Sequence, residues 1–434
     1  MIQPLAFVHA SLWDTAPQHV RDQVKLCLLD LIGIAIGGHG TDLSAIIRNH
    51  AAATRPGLYP LPFDGRGVNA SGLALALGMS IDALDGHDGY NPAKGHIGCP
   101  MMPAALGFAL ETDAPGADFL DALLMGYEFG ARASVAQHGT VPDYHTSGSW
   151  GAVTAAATGA RLFRLNPDQT RHALGIAEYH GPRSQMMRCI DHPAMLKDGS
   201  GWGAMCGVEA VQLAQAGFTG APAITVEEAP EFWADLGAHW AIMDQYFKPF
   251  PVCRWAQAPV EGVLALRAVH ALRAADIDHI EVETFHEAIR LAKRRPKTTE
   301  EAQYSTSFPC ALAAVHGEVR PDLLSGAALN NPEVLRLSDS LIMVETDEAN
   351  APFPGTRLAR VTLHLKDGRA LRDDYRTPKW DAEAPPTASE LRAKFHALAD
   401  PVLGETRTNE IEAAIDRLGT MPTADFFATL SAPA

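Results

Sequence analysis

Between Asp82 and His96, fifteen residues carry six acidic, basic or imidazole side chains: Asp82, Asp85, His87, Asp88, Lys94 and His96. The stretches on either side, Leu73–Ile81 and Met101–Leu110, are rich in Ala, Leu and Met and read as buried helices. A chain that sets so polar a loop between two core helices must either line a site with it or cancel its charges in solvent. Gly86, Gly89, Gly95 and Pro92 keep the segment out of regular helix.

At 434 residues the chain is long for one core, which predicts more than one domain. The net charge of −16, with no long basic run, argues against nucleic acid or an anionic membrane surface as a partner. An acidic chain that binds an anion must gather a few cations at one place. The N-terminus has no basic segment ahead of its apolar residues and does not read as a signal peptide. No run of about 18 uncharged apolar residues predicts a membrane span. None of the six cysteines lies in a C-x-x-C pair, so a reduced, cytoplasmic chain without metal or cofactor is expected.

Periodicity predicts a mainly α fold with a smaller α+β domain. Residues 1–268 read as helix after helix. His19–Ile36 carries a helical stripe, and Gly33 and Gly37 allow a second helix to approach closely. Asn166-Pro167-Asp168-Gln169 reads as a capped helix start, and Gly217 as a helix end. Residues 269–383 change grammar. Ile280–Thr284 and Ser340–Glu345 read as strands, and Arg357–Leu365 and Arg369–Arg376 flank an Asp367-Gly368 turn. Thr298–Glu301 should cap a helix that runs on past Pro309 with a kink. Residues 384–434, opened by a cap at Thr387 and Glu390, are expected to return to the helical domain.

Three further polar segments interrupt the apolar text. His145 precedes an Ala-rich helix whose N-terminus suits an anion; it reads as a base or as a capping histidine. Arg183–Gly203 presents Arg188 and Lys197. Lys197, between apolar residues and glycines, reads as a desolvated base or anion clamp, or as a lysine snorkelling to water. Lys248-Pro-Phe-Pro-Val-Cys-Arg254 is stiffened by two prolines, and Arg254 reads as a bidentate carboxylate anchor or as a surface arginine with a local acid.

Taken in order, several pieces resemble the MmgE/PrpD family: Ala83–Asp88 with Lys94–Pro100, His145–Gly151, Lys197–Trp202, Gly217–Gly220, Lys248–Pro251 and Thr299–Ser305. The resemblance implies a large all-helical domain with a small α/β lid, a homodimer, no metal, and action on a small di- or tricarboxylic acid next to a carboxylate. It implies catalytic roles for Asp85, His96, His145 and Lys197, with Lys248 nearby. Arg254, Lys248, His87, Asp88, Lys94 and Arg188 are expected to help bind substrate. Family members include dehydratases, decarboxylases and epimerases, of which a dehydratase-type lyase is the expectation here. The chain departs from the family pattern at Gln257, Phe308 and Ser200, which bears on whether its chemistry is that of the best-known members. A carboxylate-binding homologue without chemistry is the rival from another class.

Overall fold

The computed structural model describes residues 3–434. Helices dominate, and the principal ones are α1 (Gln18–Gly38), α2 (Ala70–Asp82), α3 (Gly98–Glu111), α4 (Gly116–Thr140), α5 (Gly148–Leu162), α6 (Pro167–His180), α7 (Ser200–Gln215) and α8 (Arg254–Val269). After a sheet come α11 (Ala388–Leu403) and α12 (Glu405–Arg417), while α9 (Ser307–His316) and α10 (Pro332–Ser340) lie between its strands. The chain is therefore mainly α with a smaller α/β part, as its periodicity predicts.

Small residues let the helices cross closely. A Cβ on Gly33 of α1 would come 2.9 Å from Phe395 Cδ2, so α11 rests on α1 as the glycine spacing suggests. At the crossing of α7 with α5, a Cβ on Gly203 would meet the Gly148 carbonyl oxygen at 2.3 Å. Where α7 crosses α2, a Cβ on Gly78 would lie 2.7 Å from Gly201 Cα. The expected caps form: Asn166 and Gln169 make a capping box, as do Thr387 and Glu390. Gly217, with φ of +91°, ends α7.

Apolar residues of α1 to α7, α11 and α12 share one large core. A second core joins Val260 and Val263 of α8 to α9, α10 and the sheet. The sheet contains β1 (Ile277–Thr284), β2 (Ile342–Glu345), β3 (Ala359–Leu365) and β4 (Ala370–Arg372) in the order β2-β1-β3-β4. β1 runs parallel to β2 and antiparallel to β3, and β3 and β4 form the hairpin read from Asp367-Gly368.

Two local readings need correction. Residues 299–316 form two helices, Thr299–Gln303 and Ser307–His316, and not one kinked helix. Ser305 Oγ donates to the Lys293 carbonyl and accepts from Phe308 N–H at 3.1 Å, so it opens the second helix. Pro309 then falls in the first turn, where its missing N–H breaks no bond. The hairpin strands are also shorter than expected, which leaves Arg357 outside β3. Among the described residues, no single helix is long and apolar enough to cross a membrane.

Candidate active site

The polar loop between α2 and α3 is buried almost throughout. Gly89–Tyr90 pairs antiparallel with Gln245–Tyr246, which brings the loop beside the Lys248 segment. Asp85, Lys94 and Lys197 all hold left-handed φ angles, of 49°, 52° and 49°. Each such residue costs about 1–3 kcal/mol, and such strain gathers at functional sites. A cavity opens here, lined by Asp85, Lys94, His96, Tyr144, Met186, Asp198, Tyr246, Lys248, Cys253, Arg254, Trp255, Tyr304 and Arg357. Its free space is about 30 Å³, room for roughly two waters. Four cations face two carboxylates across it.

His96 is the imidazole of the cavity. Its Nδ1 lies 2.8 Å from the Asp88 carbonyl. A carbonyl can only accept, so Nδ1 carries the proton and Nε2 keeps its lone pair. Nε2 sits 3.7 Å from Asp85 Oδ1 and 3.6 Å from Asp198 Oδ2. Burial, then the neighbouring His87 and Lys248, holds its pKa well below the ordinary histidine value. The ring is thus a neutral base. Its orientation comes from the Asp88 carbonyl. Asp85 is engaged elsewhere.

Asp85 pairs with Lys248, whose Nζ donates to the Asp85 carboxylate at 2.5 Å and to its carbonyl at 2.7 Å. Burial works against both charges, but Lys248 together with Lys197 and His87 holds Asp85 below its usual range, and Asp85 together with Tyr246 holds Lys248 above its own. Asp198 has the opposite fate. Burial first, then the charges of Asp82 and Asp85, raises it to about 7, while Ser147 Oγ donates to it at 2.7 Å. Two carboxylates within reach of one imidazole are driven apart in acidity, an arrangement that separates acid from base.

Arg254 opens α8 and stacks on Tyr246, with 3.9 Å from guanidinium carbon to ring centre. Its Nη2 is 2.8 Å from Asp381 Oδ2, but the alignment makes no hydrogen bond. Nε, Nη1 and Nη2 are all buried without an acceptor. Such a guanidinium is ready to take a carboxylate.

The other expected residues lie at varying depth. Lys94 reaches the cavity, over the Tyr144 ring. His87 stands behind His96, ring centres 4.2 Å apart, with its Nδ1 3.1 Å from the same Asp88 carbonyl. The Asp88 side chain is deeper still: Tyr127 donates to it at 2.6 Å, and burial, then Asp30, raises it to about 6. Lys197 is buried but donates to Gln303 Oε1, with its ammonium 4.7 Å from the Tyr304 ring centre. It is not among the lining residues, but its charge helps hold Asp85 ionised. His145, the expected base, is buried in the wall beside Tyr144 and is not among the lining residues. Arg188 is a correction: its side chain is exposed, because the short helix Met186–Asp191 turns Met186 inward instead.

The three departures from the family pattern lie off the cavity. Gln257 clamps the Phe250 and Val252 carbonyls, Phe308 is in the second core, and Ser200 N–H donates to Asp82 at 3.3 Å. The sequence reading missed Asp198, Tyr304 and Arg357. Asp198 had a signal, an acid set among glycines beside Lys197. Arg357 had none. For a metal, Asp82, His87 and Cys99 form one close set of donors and Asp85, His87 and His96 another. The Lys248 ammonium on Asp85 opposes a cation at the second.

The profile of the MmgE/PrpD N-terminal domain matches residues 5–236, and that of the MmgE/PrpD C-terminal domain matches residues 250–419. The chain belongs to the MmgE/PrpD family. Its relatives include the cis-aconitate decarboxylase of Aspergillus terreus, 24% identical over 93% of this chain and 91% of that protein. The cis-aconitate decarboxylase of Mus musculus is 24% identical over 92% and 87%. The cis-aconitate decarboxylase-like protein oryM of Aspergillus oryzae is 25% identical over 80% and 79%. These matches support an enzyme of the MmgE/PrpD family that acts on a polycarboxylate.

Proposed function

We propose that the chain is a dehydratase-type lyase for a small di- or tricarboxylic acid. The observation that carries this reading is one cavity holding a neutral imidazole with a free Nε2, a carboxyl that titrates at about 7, and a guanidinium with unused donors. Arg254, with Arg357 and Lys94, holds substrate carboxylates. His96 Nε2 takes the proton from the carbon next to a carboxylate, and Lys248 meets the charge that builds there. Asp198 gives its proton to the hydroxyl on the next carbon, which leaves as water. The imidazolium then returns its proton to Asp198 across 3.6 Å, and the site is reset. Base and acid stand side by side, so the elimination removes both groups from one face of the substrate.

Decarboxylation is the second reading, favoured by the names of the relatives. There the same cations release one carboxylate as CO₂, and the carbon it leaves takes a proton from Asp198.

Incubation with citrate and with cis-aconitate in deuterium oxide tests both. Dehydration interconverts the two acids without gas and puts deuterium next to a carboxylate. Decarboxylation releases one CO₂ per molecule consumed. Tight binding with neither product nor deuterium uptake, across a panel of di- and tricarboxylates, would make the protein a binder without chemistry and overturn the proposal. A homodimer in the cytoplasm remains part of the proposed reading; sedimentation of the purified chain tests the dimer.

A further inference from the structure

Besides Lys248, which Asp85 holds, two more of the cavity's cations are already engaged by the protein itself. Asp381 Oδ2 lies 2.8 Å from Arg254 Nη2. Arg357 Nη1 donates to Asn91 Oδ1 at 2.7 Å, and Asn91 Nδ2 donates to the other Asp381 oxygen at 2.6 Å. Asn91 belongs to the loop that carries Asp85 and His96. Arg254 begins α8, Arg357 precedes β3, and Asp381 lies on the segment leading back to α11. The chain of contacts Arg357–Asn91–Asp381–Arg254 therefore ties the imidazole wall of the cavity to its arginine wall.

Two features make this tie replaceable. The Asp381–Arg254 pair balances charge yet satisfies none of the three guanidinium nitrogens. A carboxylate that accepts two of those N–H groups in line makes the stronger contact. The Asp381 carboxylate also has other support on its Oδ1, where Ala382 N–H donates at 2.9 Å, so it keeps a donor when Oδ2 releases Arg254. Meanwhile the cavity's free space amounts to room for roughly two waters, so an acid the size of citrate enters only if the walls part.

Resting on the function proposed above, we propose that Asp381 and Asn91 form a latch in which the Asp381 carboxylate stands in for a substrate carboxylate. Asp381 holds Arg254 in the empty protein. An incoming acid takes the guanidinium in its place, the Asn91 bridge loosens, and Arg357 becomes free for a second carboxylate. Asp381 is thus a positioning residue that sets how tightly, and how fast, a polycarboxylate binds.

Citrate and cis-aconitate binding to the full-length protein, followed by calorimetry and by stopped-flow tryptophan fluorescence, tests the latch. In Asp381→Asn the internal competitor is gone, so Kd for the acid that the wild type binds should fall about tenfold, with most of the change in the association rate. Asn91→Ala breaks the bridge and leaves the Asp381 charge in place; it should raise the association rate by a smaller factor. A residue that merely orients Arg254 would do the reverse, weakening binding when replaced. Unchanged or weaker binding in both variants, with a wild type that binds, overturns the latch alone. If Asp381→Asn does not fold, Asn91→Ala decides by the same rate. A wild type that binds no acid in the panel of di- and tricarboxylates overturns the proposed function, and the latch with it.

Discussion

His96 shows how one backbone carbonyl decides the chemistry of a side chain. With Nδ1–H committed to Asp88, only Nε2 can act, and it faces the cavity. His96→Asn keeps a donor for the carbonyl and removes the base, so turnover should fall at least ~100-fold. His145→Asn should cost much less, because His145 is not among the residues that line the cavity. Steady-state rates on the same acid compare the two, and the opposite order would make His145 the base. Asp198 supplies the pH dependence. It gives up its proton near pH 7, so the acid form is lost as pH rises through that value, and kcat should decline on the alkaline side. Burial also makes the ionised form costly. Its share of stability is therefore complete below the ordinary aspartate range and is lost as pH climbs toward 7. Asp198→Asn should remove the alkaline limb of the rate profile along with most of the activity.

Helix α7 is where local sequence reaches the site. Gly203 lies against the Gly148 carbonyl, only five residues beyond Asp198. Backbone on both sides leaves nothing flexible to yield, so Gly203→Ala should cost about 1–3 kcal/mol and displace the Lys197–Asp198 turn. Chemical denaturation and kcat should fall together in that variant. In the sheet, Glu283 of β1 accepts from Arg360 at 2.6 and 3.0 Å and from Arg372 at 2.8 and 2.9 Å, a clasp across β1, β3 and β4. The hydrogen bonds from Arg360, then those from Arg372, lower it to about 2 despite some burial. Its contribution is present above the ordinary glutamate range and disappears as pH drops toward 2. Glu283→Gln should lower stability at pH 7 by roughly 1–2 kcal/mol and flatten acid denaturation in that window.

Such elements were largely legible beforehand. Caps at Asn166 and Thr387, and the glycine pair in α1, announce themselves through short-range chemistry. The loop 82–96 was legible as a site because buried helices on both sides leave a charged loop nowhere else to go. What stayed hidden depends on long-range placement. Tyr304 enters the cavity only because Ser305 splits a helix that the pattern reads as continuous. Arg357 arrives from a strand end that has no special text. No spacing rule distinguishes Arg188, which is exposed, from Arg254, whose buried position at the start of α8 is set by the fold.

At the scale of the whole molecule, the site belongs to neither core alone. His96 and Asp198 come from segments packed with the large core, while α8 with Arg254 joins the second. An acid that bridges them should stabilise the entire chain. At about 100 times its Kd, a bound ligand adds roughly 2.7 kcal/mol. For a chain of this size each kcal/mol is worth about 2–4 °C or less, so citrate, if it is a ligand, should raise the melting point by several degrees. A shift with citrate that is absent with acetate at equal ionic strength separates specific bridging from a salt effect.

The near absence of free space beside His96 has a practical side for crystallography. Crystals grown without an acid will have the shut form built into their lattice. Diffusing citrate into them must then either crack the crystals or leave the density empty, whereas growth from a solution that already contains the acid should trap it in place.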